Sequence, residues 1–500
     1  MGGQTKTLAE LGLTAAGGRD VAITGLAVDS REVKEGYLFA AMPGSRVHGG
    51  EFIQYALRMG AVAVLTDAEG ARIAAREIDE HDAALIVAED PRQALAYTAA
   101  LWFGAQPSTM VAVTGTNGKT SVATFTRQIW IALGYEAVNL GTTGVEGAYA
   151  APLAHTTPDP ITLHRTLAQC AAAGITHAAM EASSHGLDQR RLDGVHLRAA
   201  GFTNFSQDHL DYHATLDAYF AAKAELFDRV LPEDGTAVIN MDDPRGPDMA
   251  RISEDRGQQV IRVGRQPGMD LELQAQRFDA TGQQLRFAWQ GDVHLLRLPL
   301  IGGFQAENVA IAAGLVIAAG AEPEAVFNVL PQLETVPGRM QLAATRGNGA
   351  AVFVDYAHTP DAVSTAIRAL RPHVMGRLIA IVGAGGDRDT TKRPLMGRAA
   401  AENADLVIVT DDNPRSEDPA AIRAAVMEGV ISAGGADYAV EVGDRAEAIL
   451  RGVDALQPGD ALLVCGKGHE TGQVVGDTVY PFNDAEQASV AVAALDGRMP

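Results

Sequence analysis

The chain has 500 residues, 47% of them hydrophobic and 20% charged, a composition typical of a soluble globular protein. At ~150 residues per domain, this length predicts about three domains. The 62 acidic residues outnumber the 40 lysines and arginines, and the net charge of −22 argues against binding to nucleic acid or to an anionic membrane surface.

The N-terminal stretch and the two cysteines bear on location. MGGQTKTLAELGLTAAGG has no apolar core of signal-peptide length, and Lys6 stands where a myristoylation signal needs Ser or Thr. No apolar run approaches the ~18 residues of a membrane span. Two cysteines give neither a disulfide framework nor a cysteine-based zinc site. We therefore expect a cytoplasmic protein with no membrane span.

Short apolar runs alternate with alanine-rich helical stretches along most of the chain. Helical spacing occurs at 121–133 and 159–174, and this alternation predicts an α/β fold with mainly parallel sheets. The predicted strands are 61–65, 84–88, 110–115, 177–182, 236–241, 351–357, 377–383, 405–410 and 460–466.

Two proline-containing breaks divide the chain. WFGAQPSTM (102–110) and PQLETVPGRMQ (331–341) suggest domains at 1–106, 107–334 and 335–500. Between 256 and 300 the apolar residues alternate with polar ones. We interpret this segment as an antiparallel addition at the edge of the central sheet.

The stretch VAVTGTNGKTSVATF (111–125) has the strand–loop–helix context of a phosphate-binding loop. It departs from the usual G-x-x-x-x-G-K-[ST] pattern, because Val113 stands at the first glycine position and the nearest glycine is Gly115. Gly115 and Gly118 let backbone N–H groups face phosphates, Lys119 supplies a charge, and Thr120 or Ser121 offers Mg²⁺ a hydroxyl. A chance turn before a helix is the alternative.

TGTNGKTS resembles the ATP loop of the Mur ligases and of their relative folylpolyglutamate synthase, whose loop is shorter than the standard one. Further matches follow in order: TTPDP (156–160), MEASSHGL (180–187), NFSQDHLDYH (204–213), AAKAELF (221–227), NMDD (240–243), PGRMQ (337–341), VDYAHTPD (354–361), GAGGDRD (383–389), DDNPR (411–415) and GKGHE (466–470).

This resemblance implies three α/β domains: an N-terminal UDP-binding domain, a central P-loop ATPase-like domain with a parallel sheet, and a C-terminal Rossmann-like domain. It implies ATP as co-substrate, with Asn308 near the base and with Arg339 and Asp355 reaching ATP from the third domain. The expected ATP-binding residues are Gly115, Thr116, Asn117, Gly118, Lys119, Thr120, Ser121, Asn308, Arg339 and Asp355.

The resemblance also implies two Mg²⁺ ions, held with the help of Thr120, Glu181 and His209, and a carbamylated Lys223. On sequence alone, Glu181 and Lys223 are more often solvated charges. The spacing of His209 and His213 invites a zinc interpretation, but H-E-x-x-H fails at Leu210, so we expect no zinc. Lys119, Glu181, His209 and Lys223 are the expected catalytic residues.

GAGGDRD could belong to a dinucleotide turn, but Arg388 stands where the third glycine is required, so we expect no NAD. Arg388 and Arg415 suit anions, and Asp412 suits an ammonium, which together favour a zwitterionic amino acid. The alternative is structural: Asp-Asn-Pro is a strong turn former, and a turn explains this stretch equally well. With the resemblance, Arg388, Asp412, Asn413, Pro414, Arg415, Gly466 and Glu470 are expected to bind meso-diaminopimelate.

Diaminopimelate carries a second carboxylate that lysine lacks. A buried arginine left without that carboxylate costs roughly 3–5 kcal/mol, so Arg415 favours diaminopimelate. The resemblance also implies a nucleotide-sugar peptide as the acid substrate, held mainly on the first domain. Its matching residues are Val28, Ser30, Ser45, Arg46, Val47, His155, Thr156, Thr157, Ser183, Gln189 and Arg191.

We therefore expect a monomeric ATP-dependent ligase that joins UDP-N-acetylmuramoyl-L-alanyl-D-glutamate to meso-diaminopimelate through an acyl phosphate. A ligase of the same fold that adds lysine, or glutamate to a folate, is the nearest alternative. A phosphate-loop ATPase switch is the alternative from another class.

Overall fold

A computed structural model describes residues 4–44, 47–208 and 212–497, and it contains three sheets of mostly parallel strands with helices packed around them. The α/β fold class expected from the sequence is confirmed. In the part of the chain that the structure describes, no helix combines the length and apolar character needed to cross a bilayer.

The first sheet is parallel, with strand order β3-β4-β5-β6, and a short antiparallel pair, β1-β2, precedes it. The strands of this N-terminal part are β1 (Lys6–Thr7), β2 (Ala22–Ile23), β3 (Gly25–Ala27), β4 (Tyr37–Ala40), β5 (Ala63–Thr66) and β6 (Ala84–Val87). Its helices are α1 (Ile53–Arg58), α2 (Ala68–Ile73), α3 (Ala75–Glu80) and α4 (Pro91–Phe103).

The central sheet has ten strands in the order β16-β15-β14-β13-β12-β11-β7-β10-β8-β9. Its strands are β7 (Thr109–Thr114), β8 (Ala137–Gly141), β9 (Gly144–Gly147), β10 (His177–Glu181), β11 (Leu197–Phe202), β12 (Thr236–Asn240), β13 (Gln259–Gly264), β14 (Leu271–Asp279), β15 (Gly282–Trp289) and β16 (Asp292–Leu298). Its helices are α5 (Lys119–Ala132), α6 (Pro160–Ala172), α7 (Ser184–Asp188), α8 (Leu216–Glu225), α9 (Gly246–Asp255), α10 (Phe304–Ala318) and α11 (Pro323–Val329).

Strand β7 lies in the middle of this sheet, parallel to β10 on one side and to β11 on the other. Its side chains alternate between two cores, as the period of a strand requires. Val111 and Val113 pack with α5 and α10, whereas Met110 and Ala112 face the opposite core with Leu163 of α6. This packing fixes the carboxyl end of β7 at a point where strand order switches sides, which is where open α/β sheets bind ligands.

The third sheet has the order β17-β18-β22-β19-β20-β21, in which β17 alone pairs antiparallel, and a separate hairpin, β23-β24, follows. The strands of this C-terminal part are β17 (Gln341–Thr345), β18 (Ala351–Asp355), β19 (Leu378–Val382), β20 (Leu406–Val409), β21 (Ala439–Glu441), β22 (Ala461–Cys465), β23 (Gly472–Val475) and β24 (Thr478–Pro481). Its helices are α12 (Pro360–Leu370), α13 (Lys392–Ala401), α14 (Pro419–Ser432), α15 (Arg445–Asp454) and α16 (Asp484–Leu495).

The helices of this third unit cover both faces of its sheet. Helices α12, α13 and α14 share one core with it, and α15 and α16 share the other. This two-sided cover is the Rossmann-like arrangement expected of the C-terminal part. The nine strands predicted from apolar runs all form, within a few residues of the predicted limits.

The edge addition expected between residues 256 and 300 is also confirmed. Strands β14, β15 and β16 form an antiparallel meander that extends the parallel sheet beyond β13. Apolar runs did not predict β11, LRAAGF, because exposed Arg198 and a run of alanine and glycine give it little strand propensity. It forms because β7 and β12 pair with it on both sides.

Candidate active site

The phosphate-loop sequence lies between β7 and the first turn of α5. Gly115 has φ of +146° and Gly118 has φ of +88°, both in the region that favours glycine. A Cβ at Gly115 would lie 1.9 Å from Thr203 Oγ1, and one at Gly118 would lie 2.5 Å from Asn308 Oδ1. The two glycines are therefore required by backbone conformation and by the closeness of the neighbouring side chains.

Residues that follow β11 hold the loop in place. Thr116 Oγ1 donates to the Ser206 carbonyl at 3.1 Å and accepts from the Ser206 N–H at 3.0 Å. The Asn117 N–H donates to Asn204 Oδ1 at 2.9 Å. These bonds leave the N-terminal turn of α5 facing the crevice, where its N–H groups favour an anion.

Glu181 lies at the end of β10, and its side chain is buried beside the loop. Thr120 Oγ1 donates to Glu181 Oε2 at 3.0 Å, and the Thr142 N–H donates to Glu181 Oε1 at 2.8 Å. Arg339 Nη2 approaches from the C-terminal part and donates to Thr120 Oγ1 at 3.2 Å. The solvated charge that the sequence alone favoured for Glu181 is therefore wrong, because β10 carries the residue into the centre of the sheet.

Lys223 on α8 is 1% exposed, so the solvated lysine favoured by the sequence alone is also wrong. Its Nζ donates to the Gly115 carbonyl at 2.7 Å, and Lys119 Nζ donates to the same carbonyl at 2.9 Å. Burial and the neighbouring Lys119 charge lower the pKa of Lys223 well below its ordinary value, although Asp208 opposes them. Burial also lowers the pKa of Lys119.

Oxygen donors beside the loop suit a magnesium ion. Thr120 Oγ1 and the Glu181 carboxylate lie next to the anion-binding turn, and hard oxygen ligands are what Mg²⁺ prefers. Among the described residues, no group of three or more His, Cys, Asp and Glu side chains gathers as in an all-protein metal site. The arrangement fits an ion completed by phosphate oxygens. His209, the other expected ligand, lies outside the described residues.

A cavity of about 350 Å³ opens on one side of the loop, between the central and C-terminal sheets. Asp355 accepts from the Met340 N–H at 2.7 Å and the Ala357 N–H at 2.9 Å, and burial raises its pKa. The residues expected to bind ATP that line this cavity are Asn117, Gly118, Ser121, Asn308, Arg339 and Asp355.

A second cavity, of about 370 Å³, lies on the other side of the loop. It brings Lys119, Thr120, Glu181 and Lys223 together with residues expected to bind the nucleotide-sugar peptide, namely His155, Thr156, Thr157, Ser183 and Arg191. Arg191 donates hydrogen bonds to the Thr157 carbonyl at 2.6 Å and to Gln189 Oε1 at 2.7 Å. Gln189 therefore orients a residue of this cavity without lining the cavity itself.

The structure does not bring Val28, Ser30 or Val47, which are expected to bind the nucleotide-sugar peptide, to this cavity. Val28 and Val47 are exposed, and Ser30 is buried in the turn that follows β3. Ser45 and Arg46 lie outside the described residues. Their assignment stays a prediction.

The third cavity, of about 670 Å³, lies at the carboxyl ends of the C-terminal strands. Asn413 Nδ2 donates to Glu470 Oε2 at 2.9 Å, and Arg415 Nη1 donates to the Gly386 carbonyl at 2.7 Å. The residues expected to bind diaminopimelate that line it are Arg388, Asp412, Asn413, Arg415, Gly466 and Glu470. Pro414 does not line the cavity, and its carbonyl packs closely against Gly386.

Lys467 organises this third cavity, and the sequence analysis did not single it out. Its side chain is completely buried, and its Nζ donates to Asn413 Oδ1 at 3.0 Å and to Glu470 Oε2 at 2.7 Å. Burial would raise the pKa of Glu470, but hydrogen bonding and the charge of Lys467 bring it below its ordinary value. The position of Lys467 inside the GKGHE motif was the sequence feature that could have indicated its place in the site.

Three further residues of the site were not predicted from the sequence: Thr142, Tyr356 and His358. Thr142 binds Glu181 through its N–H, and the other two residues lie between the cavities. The histidine and the tyrosine were visible in VDYAHTPD, directly after a buried strand, where ligand-binding residues of α/β sheets gather.

Comparison with known protein families matches the chain in three segments. The Mur ligase family catalytic domain matches residues 22–102, the Mur ligase middle domain matches 113–316, and the Mur ligase glutamate ligase domain matches 338–468.

Similar proteins carry one description. UDP-N-acetylmuramoyl-L-alanyl-D-glutamate–2,6-diaminopimelate ligase of Caulobacter vibrioides is 48% identical over 484 residues, which cover 95% of this chain and 97% of that protein. The protein of the same description from Bradyrhizobium diazoefficiens is 48% identical over 478 residues, covering 94% and 95%. A solved structure of this ligase matches with a TM-score of 0.71 and 33% identity, covering 98% of this chain and 99% of that one.

Proposed function

Because the chain belongs to the Mur ligase family, we propose that it is the ATP-dependent ligase that adds meso-diaminopimelate to UDP-N-acetylmuramoyl-L-alanyl-D-glutamate in peptidoglycan precursor synthesis. One observation carries this proposal: a phosphate loop, a substrate cavity and an amino-acid cavity with charges of both signs converge in one crevice. A ligase must activate an acid with ATP and join it to an amine. This reaction requires the phosphate loop, the substrate cavity and the amino-acid cavity to lie side by side.

The first step is transfer of the γ-phosphoryl group of ATP to the D-glutamate side-chain carboxylate. A carboxylate oxygen forms a bond to the γ-phosphorus, while the bond to the bridging oxygen breaks and ADP leaves with the electron pair. Lys119, the N-terminus of α5 and Arg339 would stabilise the charge that develops. Thr120 and Glu181 would help to hold Mg²⁺, two ions by family resemblance, which would neutralise phosphate charge.

Lys223 is proposed to carry a carbamate. Two lysine amines share the Gly115 carbonyl, and the low pKa of Lys223 favours its neutral, nucleophilic form. The neutral nitrogen adds to the carbon of CO₂, and one N–H proton leaves to solvent. This reaction replaces a buried neutral amine by an anion that would orient magnesium beside the transferred phosphoryl group.

Three functional domains at 1–106, 107–334 and 335–500 remain our proposed division. The first would hold most of the nucleotide-sugar peptide, the second ATP, and the third the amino acid. The limits of the matched family domains and the separation of the three sheets support it.

Selection of diaminopimelate is proposed to depend on Arg415. The 3–5 kcal/mol expected for a buried arginine is too large, because Arg415 is only partly buried and already donates to the Gly386 carbonyl. Hydrogen bonds to a charged group contribute about 1.5–3 kcal/mol. We therefore expect diaminopimelate to be preferred over lysine by roughly 10- to 160-fold in kcat/KM.

The test measures phosphate release with the UDP-muramoyl dipeptide and a panel of meso-diaminopimelate, lysine and glutamate. We expect turnover only when the dipeptide and diaminopimelate are both present. Arg415→Ala should lose roughly 10- to 160-fold in kcat/KM for diaminopimelate without a change in ATP affinity. Arg398→Ala, an exposed arginine on α13, is the matched control and should keep wild-type kinetics.

Each alternative gives a distinct outcome in this assay. Faster turnover with lysine would assign a lysine-adding ligase, and turnover with a folate and glutamate would assign the folate class. ATP hydrolysis without either co-substrate would indicate a switch. An equal loss of ATP binding in Arg415→Ala would contradict the role given to this arginine.

A further inference from the structure

The three cavities meet at two side chains. Among the described residues, Tyr356 and His358 are the two that line the nucleotide cavity, the substrate cavity and the amino-acid cavity at once. Both lie in the connection between β18 and α12. In a reaction that joins parts of three substrates, the reacting atoms must lie where the three spaces communicate, and these two side chains border that place.

The imidazole of His358 is held in one tautomer. Its Nδ1 lies 2.9 Å from the Tyr356 carbonyl, which can only accept, so Nδ1 carries the proton and donates. Nε2 is then left with a free lone pair. Next to it, the Tyr356 ring lies 4.7 Å away at 63°, which fixes the plane of the imidazole.

Several groups keep this imidazole neutral. Burial and the charge of Lys392 lower the pKa of His358, and Arg339 adds to this, whereas the Tyr356 carbonyl and Asp208 oppose it. Burial raises the pKa of Tyr356, so its phenol keeps its proton at neutral pH. Of the two side chains at the junction, only His358 can take up a proton.

We propose that His358 is the general base that takes a proton from the attacking amino group of the incoming amino acid. The proposal rests on the ligase function proposed above. The amine arrives as an ammonium, and one of its protons passes to Nε2 of His358, which frees the nitrogen lone pair. The nitrogen then forms a bond to the carbonyl carbon of the acyl phosphate, and its second surplus proton passes to the departing phosphate. The carbon–oxygen bond to the phosphoryl group then breaks, and phosphate leaves with the electron pair.

The test separates proton removal from acyl-phosphate formation by changing the nucleophile. Hydroxylamine is already neutral at pH 7, so it captures an acyl phosphate as a hydroxamate without a base. In His358→Gln and His358→Ala, diaminopimelate ligation should fall about 10²- to 10⁴-fold, and hydroxamate formation should fall less than about tenfold. Added imidazole should partly restore ligation by His358→Ala. ATP titration checks that both variants retain the nucleotide site.

His469→Gln is the matched control. Burial lowers the pKa of His469 to about 4, and its ring lies 5.2 Å from the same tyrosine ring, but His469 lines none of the three cavities. It should keep both reactions within about threefold of wild type. If it lost ligation as His358→Gln does, the effect would run through the packing of Tyr356, and the proposal would fail.

Two other results would overturn the assignment. Equal losses with diaminopimelate and hydroxylamine would place His358 in acyl-phosphate formation, and near-wild-type ligation by His358→Gln would remove it from proton transfer. A wild-type protein that forms hydroxamate but joins no amino acid would instead refute the proposed function, which keeps the two failures apart.

Discussion

At the scale of single residues, the site is governed by charges that the fold removes from water. Lys223 is one case: a lysine 1% exposed, whose amine shares an acceptor with a second lysine. The buried cation is costly, and the side chain responds by favouring its neutral form. This cost has a measurable effect on stability.

The stability of wild type relative to Lys223→Met should rise with pH in CO₂-depleted buffer. The folded-state pKa of Lys223 is lowered, so the unfolded chain binds more protons between that pKa and the ordinary lysine value of 10.5. Stability is therefore lost as pH falls below this ordinary value, with a slope of at most about 1.4 kcal/mol per pH unit. Thermal midpoints of both proteins between pH 7 and 9.5 would measure the difference.

The control for this prediction is Lys34→Met, which replaces an exposed lysine. It should show no pH-dependent difference from wild type. Parallel curves for wild type and Lys223→Met would contradict the lowered pKa. Added bicarbonate should stabilise wild type and leave Lys223→Met unchanged, because only the wild-type amine can form a carbamate.

At the scale of elements, the strand–loop–helix unit of β7 and α5 shows what a local pattern can decide. The loop was predictable from its glycines, and the structure adds why each is needed. Gly118 combines a positive φ with a neighbouring side chain at 2.5 Å, whereas Gly134, at the other end of α5, has the same φ of +88° and nothing within 4 Å of its absent Cβ. Substitutions at Gly118 and Gly134 can therefore separate the effect of backbone strain from the effect of the side-chain contact.

Gly118→Ala and Gly134→Ala should each destabilise the protein by about 1–3 kcal/mol, because alanine is strained at this φ. Only Gly118→Ala should also lose ATP affinity, since its methyl group would displace Asn308 in the nucleotide cavity. Unfolding in urea and ATP titration measure the two effects. Equal ATP affinities in both variants would show that the loop tolerates the methyl group.

The helices and strands themselves followed from short-range patterns. Buried parallel strands give continuous apolar runs, so nine of them could be predicted. The LRAAGF strand, β11, could not, because pairing with β7 and β12 determines it and its own propensities do not. The antiparallel meander was predictable because alternation is itself a local signal.

At the scale of the whole molecule, the crevice is built from parts that are distant in sequence. Arg339 reaches Thr120 across it, and His373 joins the C-terminal unit to the central one by accepting from the Gly302 N–H at 3.1 Å and donating to the Asp279 carbonyl at 2.7 Å. Few bonds of this kind join the two units among the described residues. Apolar contact also joins them, since Ile301 packs in the core of the C-terminal unit. We expect substrate binding to supply the free energy that changes their separation.

We expect domain closure in solution. A non-hydrolysable ATP analogue with Mg²⁺ and the UDP-muramoyl dipeptide should shrink the protein toward the radius of gyration of about 23 Å that a compact 500-residue chain has. Closure would exclude water from the acyl phosphate. Small-angle scattering with and without the ligands tests this, and indistinguishable profiles would count against it.

The sequence by itself determined the fold class, the phosphate loop and the motifs that carry the site, because apolar periodicity and glycine placement are properties of neighbouring residues. The ordered set of motifs in the sequence also indicated that Arg415, Asp412 and Glu470 belong to the amino-acid site. Only the tertiary structure decided that Lys223 and Lys467 are buried, and that His358 stands where three cavities meet. Burial and convergence depend on which strands and helices pack together, and no spacing along the chain encodes that.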